Sequence, residues 1–194
     1  MKALALILLA AAPAWASLPV PEEAEEVSRD SGVPRADRRW ELVGEVGWNS
    51  MTGLGAVVGY RVDPHVTIEA GLGISPEGGK AGARARYLFS LNRWSPFAGL
   101  GLLYGSGSSS DLTGDDRGAK YRYRVGPSPF LQLTFGVEYL GTSGFTFVAA
   151  GGYAALLQHN LDIVAGNPSP ETVQILRVVV GTGIVLSVAF GKSF

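Results

Sequence analysis

The chain has 194 residues, a formal net charge of −1 and no cysteine. The nearly neutral charge argues against nucleic acid as a partner, because nucleic-acid-binding proteins usually carry a basic patch or domain. The lack of cysteine excludes disulfides, thiolate metal sites and a cysteine nucleophile. Beyond the first residues, no stretch reaches the about 20 consecutive apolar residues that a membrane helix needs. The composition therefore fits a soluble core or a membrane barrel.

Residues 1–16 have the layout of a secretory signal peptide. Lys2 gives a positive start, residues 3–12 form an unbroken apolar run, and Ala14-Trp15-Ala16 supplies a small-x-small cleavage site. A membrane anchor or a buried helix is the alternative, but the run is too short to span comfortably. Ser17, rather than a cysteine, follows the site, which argues against a lipid-modified N-terminus. We expect the mature chain to begin at Ser17 after export.

Residues 17–39 form a polar, charge-dense segment that contains three prolines. Four glutamates in its first half are followed by three arginines near its end. The segment has too few apolar residues to bury, which predicts a flexible periplasmic leader. Domain organisation is thus predicted as a signal peptide, this leader and a barrel over residues 40–194.

From Trp40 onward the hydrophobic pattern has a period of two, which is typical of strands with two different faces. Segment 130–139 is the cleanest example, since Leu131, Leu133 and Phe135 alternate with Gln132 and Thr134. The pattern predicts an all-β fold, an eight-stranded antiparallel up-and-down transmembrane β-barrel. The predicted strands are 40–48, 53–62, 66–74, 81–89, 97–104, 130–139, 144–157 and 174–190.

The connections between these strands alternate in length. The short turns are 63–65, 90–95 and 141–143, and the longer polar connections are 75–80, 105–129 and 158–173. Segment 49–52 alone is short on the long-loop side. Outer-membrane barrels combine short periplasmic turns with longer outer loops. Eight strands then place both chain ends on the short-turn side, which predicts periplasmic termini.

The polar face of the predicted strands carries the charges and most of the strand glycines, whereas the other face is aliphatic and aromatic. Glycine beside glutamate and arginine suits a narrow lumen, and an apolar outer face suits lipid, so a membrane barrel is favoured over a lipocalin-like soluble barrel. The equal numbers of both signs predict a paired network that plugs the lumen, with an ion or proton path as the alternative. The predicted network consists of Glu41, Glu45, Arg61, Glu69, Arg84, Arg86, Glu138 and Arg177.

Two segments resemble those of small outer-membrane barrels. The last strand alternates apolar residues and places Phe190 and Phe194 at one parity, which resembles the C-terminal assembly signal of such barrels, although Lys192 stands where an apolar residue is commoner. The segment PFAGLGLLYG at residues 96–105 resembles a recurrent strand of the OmpA/OmpX-type eight-stranded barrels. The resemblance covers residues 40–194. It implies a bacterial outer-membrane location, with the lipid bilayer and the barrel assembly machinery as partners.

The longest connection, 105–129, carries candidate contact residues for the cell exterior. Basic and aromatic side chains at that height suit lipopolysaccharide phosphates or a partner surface, and a merely solvated loop is the alternative. The candidates are Arg117, Lys120, Tyr121, Arg122, Tyr123 and Arg124. Asp111, Thr113, Asp115 and Asp116 lack the spacing of a dedicated calcium loop, so neither a metal nor a cofactor is predicted.

His159 is the weak candidate for catalysis. It begins the last outer loop, at the height where barrels similar to lipid A deacylases and palmitoyltransferases place a histidine with a serine and a carboxylate. Asp162 is the carboxylate nearest to His159 in the sequence. A serine within residues 106–110 is the candidate to approach His159. His65 lies in a predicted periplasmic turn.

The resemblance specifies architecture better than function, because its family includes adhesins, stress proteins and lipid-modifying enzymes. We expect a non-enzymatic barrel that contributes to envelope integrity or makes surface contacts. The alternatives are a narrow, porin-like channel and a rim-site lipid A-modifying enzyme.

Overall fold

A computed structural model describes residues 35, 37–76, 78–108 and 110–194. The predicted signal peptide and residues 17–34 and 36 of the predicted leader lie outside the described residues. The elements in chain order are β1 (Trp40–Trp48), β2 (Leu54–Asp63), β3 (Val66–Ser75), β4 (Gly78–Leu88), β5 (Trp94–Gly105), β6 (Leu112–Asp116), β7 (Ala119–Val125), β8 (Ser128–Leu140), β9 (Phe145–Leu156), β10 (Leu161–Ala165), α1 (Pro170–Val180) and β11 (Gly183–Ser193).

Eight of the strands form a closed barrel in the order β1-β11-β9-β8-β5-β4-β3-β2. Every neighbouring pair is antiparallel, and β1 closes the barrel by pairing with both β2 and β11. Closure removes the unpaired edges that an open sheet exposes. The predicted eight-stranded antiparallel barrel is therefore confirmed.

The two faces of the wall differ as the alternation predicted. In β8, Leu133 and Phe135 are exposed on the outside, whereas Gln132, Thr134 and Glu138 are fully buried on the inside. The short turns and both ends of the barrel segment lie at one end, here called the short-turn end. The connections that follow β1, β3, β5 and β9 lie at the other end, the long-loop end.

The predicted strand 174–190 is wrong in its first half, because α1 occupies residues 170–180 and β11 begins only at Gly183. The Ser169 side chain accepts a hydrogen bond from the Thr172 N–H and caps the helix, Pro170 follows, and Glu171 lies in the first turn. These start signals outweigh the alternation of Leu176, Val178 and Val180 with more polar positions that favoured a strand. No helix in the described parts of the chain has the length and apolar character needed to cross a membrane.

A second sheet stands beyond the long-loop end of the barrel. It has the order β10-β7-β6, and α1 packs on one of its faces through the buried side chains of Leu176 and Val180. Tyr121, Val125 and Leu161 supply the sheet side of this small core. We call β6, β7, β10 and α1 the platform. The two long connections thus fold together into one ordered unit.

Leu176→Ala should loosen the platform, because Leu176 is buried against the sheet while its neighbour Ile175 is 63% exposed. Removing a buried leucine costs about 2–5 kcal/mol, and a surface change usually stays within about 0.5 kcal/mol. Alanine favours helix, so only packing is lost. Hydrogen–deuterium exchange should be faster across α1 in Leu176→Ala and unchanged in the matched Ile175→Ala. Equal exchange in both variants would contradict the packing described here.

Candidate functional site: the charged lumen and the outer platform

Glu138 of β8 is the most heavily paired carboxylate of the lumen. Its Oε1 accepts from Arg61 at 3.0 Å and from Arg35, and its Oε2 lies 3.1 Å from Arg86. The four side chains are buried almost completely. Three arginines therefore converge on one carboxylate, which brings their positive charges close together and makes further carboxylates necessary.

Those further carboxylates lie on β1 and β3. Arg86 approaches Glu41 at 2.9 Å and Glu69 at 3.1 Å. Arg84 lies two residues from Arg86 on β4, closer to the long-loop end. It donates to Glu69 at 2.6 Å and lies 3.9 Å from Glu45. The result is a continuous chain of alternating charges along the lumen.

The structure places seven of the eight predicted network residues in this chain. The eighth, Arg177, was assigned to the lumen wrongly: it is exposed on α1, because the segment that carries it is helical and lies outside the barrel. Arg35 takes its place as the fourth arginine. Sequence reasoning missed Arg35 because it precedes the first strand and belongs to no alternating pattern.

Arg35 and Arg38, which precede β1, form a strap across the short-turn end. Arg35 Nη2 donates to the Asn92 carbonyl at 2.9 Å, in the turn after β4. Arg38 donates to the Thr142 carbonyl at 2.6 Å and to the Ser193 carbonyl at 3.3 Å. Two arginines thus tie separate turns and the last strand together. Both side chains belong to the end of the segment predicted as a flexible leader.

The connection between β1 and β2 folds into the lumen from the long-loop end. Ser50, Met51 and Thr52 are fully buried, and Thr52 donates its N–H at 3.0 Å and its hydroxyl at 2.9 Å to Glu45. Gln132 donates to the Asn49 carbonyl at 2.9 Å. This loop is shorter than the other connections at the long-loop end, and in the structure it folds inward.

Glycines of the wall make room for this inward loop. A Cβ at Gly71 would lie 2.6 Å from the Thr52 methyl carbon and 3.0 Å from the Met51 methyl carbon. A Cβ at Gly82 would lie 2.8 Å from Met51 Cγ. Larger residues on these inward positions would therefore displace the loop.

The candidate contact residues of the 105–129 connection separate into two groups. Lys120, Arg122 and Arg124 are exposed on one face of β7, and Arg117 is exposed at the tip. Tyr121 and Tyr123 were wrongly grouped with them, because Tyr121 is buried and Tyr123 is half-buried on the face that α1 covers.

The aspartates of the same connection are engaged within the platform. Asp111 lies 2.6 Å from Arg124, and Asp115 accepts from the Gly118 N–H at 2.8 Å. Asp116 accepts from the Ser169 N–H at 2.5 Å, and this bond holds the pKa of the Asp116 carboxyl below its ordinary value. In the described ranges no three His, Cys, Asp or Glu side chains form a group that could hold a metal ion.

The two histidines make backbone contacts. His159 Nε2 lies 2.7 Å from the Leu161 carbonyl, and within the described chain no serine hydroxyl or carboxylate bonds to its ring. His65 Nδ1 lies 2.7 Å from the Leu88 carbonyl. The serine–histidine–carboxylate arrangement that catalysis would need is not assembled among the residues described.

The predicted assembly residues lie at the short-turn end. The Phe190 ring is exposed and contacts Phe147, with ring centroids 5.1 Å apart. Phe194 is 61% exposed, and its backbone exchanges two hydrogen bonds with Trp40. Both rings therefore stand on the outer surface of the closing β1–β11 seam.

No protein-family model and no curated protein matches the sequence. Among solved structures, the chain is similar to the N-terminal β-barrel domain of Pseudomonas aeruginosa OprF, with 15% sequence identity and a TM-score of 0.43. The similarity covers 79% of this chain and 95% of that one. The barrel itself is established by the strand pairing of this chain.

Arg35→Gln should destabilise the folded mature protein, because it leaves part of the Glu138 charge unpaired in a buried site. Breaking a buried ion pair costs about 3–5 kcal/mol, whereas the exposed Arg177→Gln should change stability by at most about 0.5 kcal/mol. Urea unfolding of the two refolded variants measures the difference. The lumen description would be contradicted if Arg177→Gln were the more damaging change.

Proposed function

We propose that this chain is an exported barrel of a bacterial outer membrane, closed to solutes, which strengthens the envelope and presents the platform to the exterior. The observation that carries the proposal is the inverted polarity of the wall. All eight barrel strands expose large apolar side chains, while the four glutamates and four arginines of the network lie inside.

The exposed apolar side chains of the wall are contiguous across neighbouring strands, which is unusual for the surface of a soluble protein. Soluble monomers rarely expose contiguous apolar patches beyond about 300–600 Å². Here the outward positions of neighbouring strands are apolar along their length, for example Leu131 and Leu133 on β8 and Leu100 and Leu102 on β5. A closed barrel satisfies its backbone internally, as lipid requires.

Aromatic rings lie near both ends of the wall, where they would meet the membrane interfaces. Exposed Trp48 and Tyr104 stand at the long-loop ends of β1 and β5. At the short-turn end the rings contact one another in pairs, Trp40 with Tyr60, Tyr87 with Phe89 and Trp94 with Tyr139. These two groups of rings support a barrel that spans the membrane from one interface to the other.

The contents of the lumen support closure rather than conduction. The strap arginine lies at the short-turn end, the charge network follows, and the inward loop with Met51 fills the rest. The Lys80 ammonium lies 5.3 Å from the centre of the buried Phe130 ring beyond them. An eight-stranded interior is just filled by such side chains.

The direction of insertion follows from export. A chain cleaved after Ala16 would keep its N-terminal segment in the periplasm, together with the short-turn end and the assembly residues Phe190 and Phe194. The platform would then stand outside the cell, above the outer leaflet that contains lipopolysaccharide.

Leu133→Arg should block folding into bilayers, because arginine at mid-membrane on the lipid face costs about 2–4 kcal/mol. The control Gln174→Arg, exposed on α1 of the platform, should fold like the wild type. Heat-modifiable gel migration of mature protein refolded in detergent or vesicles distinguishes folded from unfolded barrel. A wild type that folds in plain buffer, together with a tolerated Leu133→Arg, would overturn the membrane proposal.

Folded wild-type protein should produce no stable single-channel steps in planar bilayers, because its lumen is filled along its length. A general porin added to the same bilayer supplies the positive control. Reproducible current steps of one size from the wild type would replace the closed barrel with a narrow channel.

A further inference from the structure

The strands β7 and β8 are consecutive, but their faces do not continue into one another. The Leu157 N–H donates to the Pro129 carbonyl, and the next bond upward runs from the Gly126 N–H to the Asn160 carbonyl. In a regular antiparallel ladder, bonds to the same neighbour recur at every second residue. Pro129 and Gly126 are three positions apart instead of two, so the pattern shifts by one residue. The odd-numbered side chains of β7 therefore lie on the side of the sheet that the even-numbered side chains of β8 occupy, and the two faces exchange at 126–127.

The position of α1 agrees with this exchange. Val125 and Tyr121 are buried beneath the helix. The Asn160 amide donates to the Val180 carbonyl, at the end of α1, at 2.7 Å and to the Ser128 hydroxyl at 2.8 Å. Ser128 is fully buried at the top of the lumen. The helix therefore lies on the lumen side of the platform sheet, above the barrel mouth.

The opposite face of β7 consequently points away from the barrel axis. Lys120, Arg122 and Arg124 occupy alternate, exposed positions on it, about 6.5 Å apart along the strand. They stand above the lipid-facing side of β8, which carries Leu131 and Leu133. A row of three basic side chains thus rises from the edge of the apolar wall.

The neighbours of this row leave its centre unpaired. Arg124 is paired with Asp111, and the register places Asp162 opposite it on the other side. Arg122 lies opposite Thr113 and Ala165, and among the described residues it makes no ion pair. Its guanidinium retains donors in the planar arrangement that matches phosphate oxygens.

We propose that Arg122, flanked by Lys120 and Arg124, binds phosphate groups of lipopolysaccharide in the leaflet beside β8. This inference rests on the proposed outer-membrane function. The row belongs to the central strand of a sheet that α1 backs with a packed core. The side chains are therefore presented from an ordered backbone, which lowers the entropic cost of binding.

The test uses the folded mature protein in neutral detergent and measures its binding to purified lipopolysaccharide and to the same material after enzymatic dephosphorylation. The variants are Arg122→Gln and the double change Lys120→Gln with Arg122→Gln. The matched control is Arg177→Gln, which removes the same charge from α1. Gel migration is recorded for each variant, so that only folded protein is compared.

We expect affinity for intact lipopolysaccharide to fall about fivefold for each basic residue removed, as for basic residues near an anionic membrane surface. Arg177→Gln should bind like the wild type, and dephosphorylated material should bind all four proteins equally weakly. The inference is overturned if the β7 variants bind normally or if Arg177→Gln weakens binding as much as they do. It is also overturned if dephosphorylation leaves wild-type binding unchanged. Leu133→Arg tests the membrane barrel separately, so the two failures are distinguishable.

Discussion

The narrowness of the lumen is the constraint on which the rest of this structure depends. An eight-stranded barrel encloses little more space than its own inward side chains fill, and a charge placed there needs a partner across the lumen. An ion pair between two strands consequently fixes both of them, as the pair of Arg86 on β4 and Glu41 on β1 does. A one-residue slip would turn these charges toward the apolar outside. The charge network and the outer wall therefore specify the same register.

Alternation in the sequence was sufficient to predict the barrel because each wall strand has one face for each environment. On β8, the outward Leu133 and the inward Gln132 are adjacent, and their types alone identify the two sides. The glutamates and arginines on the inward face also predicted a paired interior, although Arg177 was counted among them in place of Arg35. A period-two pattern within one strand is enough to identify these features, and contacts between distant segments need not be known.

The parts that sequence reasoning missed depend on tertiary contacts. Arg177 has a strand-like neighbourhood of valines, but the Ser169 cap and the packing of Leu176 make its segment helical. Arg35 has no periodic neighbours at all, and only its contact with Glu138 reveals it as a lumen residue. Met51 is one apolar residue in a short loop, and its burial depends on the space beside Gly71 and Gly82. No pattern within a single segment contains this information.

The charged side chains of the lumen bond one another, so the groups that are free to bind a partner lie mainly at the long-loop end. Glu45 is already engaged by Thr52, and the exposed side chains of the wall are mainly aliphatic and aromatic, so exposed hydrogen-bonding groups are concentrated on the platform. There the exchange of faces at 126–127 decides which side chains the platform exposes. Without it, the tyrosines of β7 would point outward and Arg122 would point over the barrel mouth, where α1 now packs. A two-residue break between β7 and β8 thus separates the apolar core of the platform from its basic face.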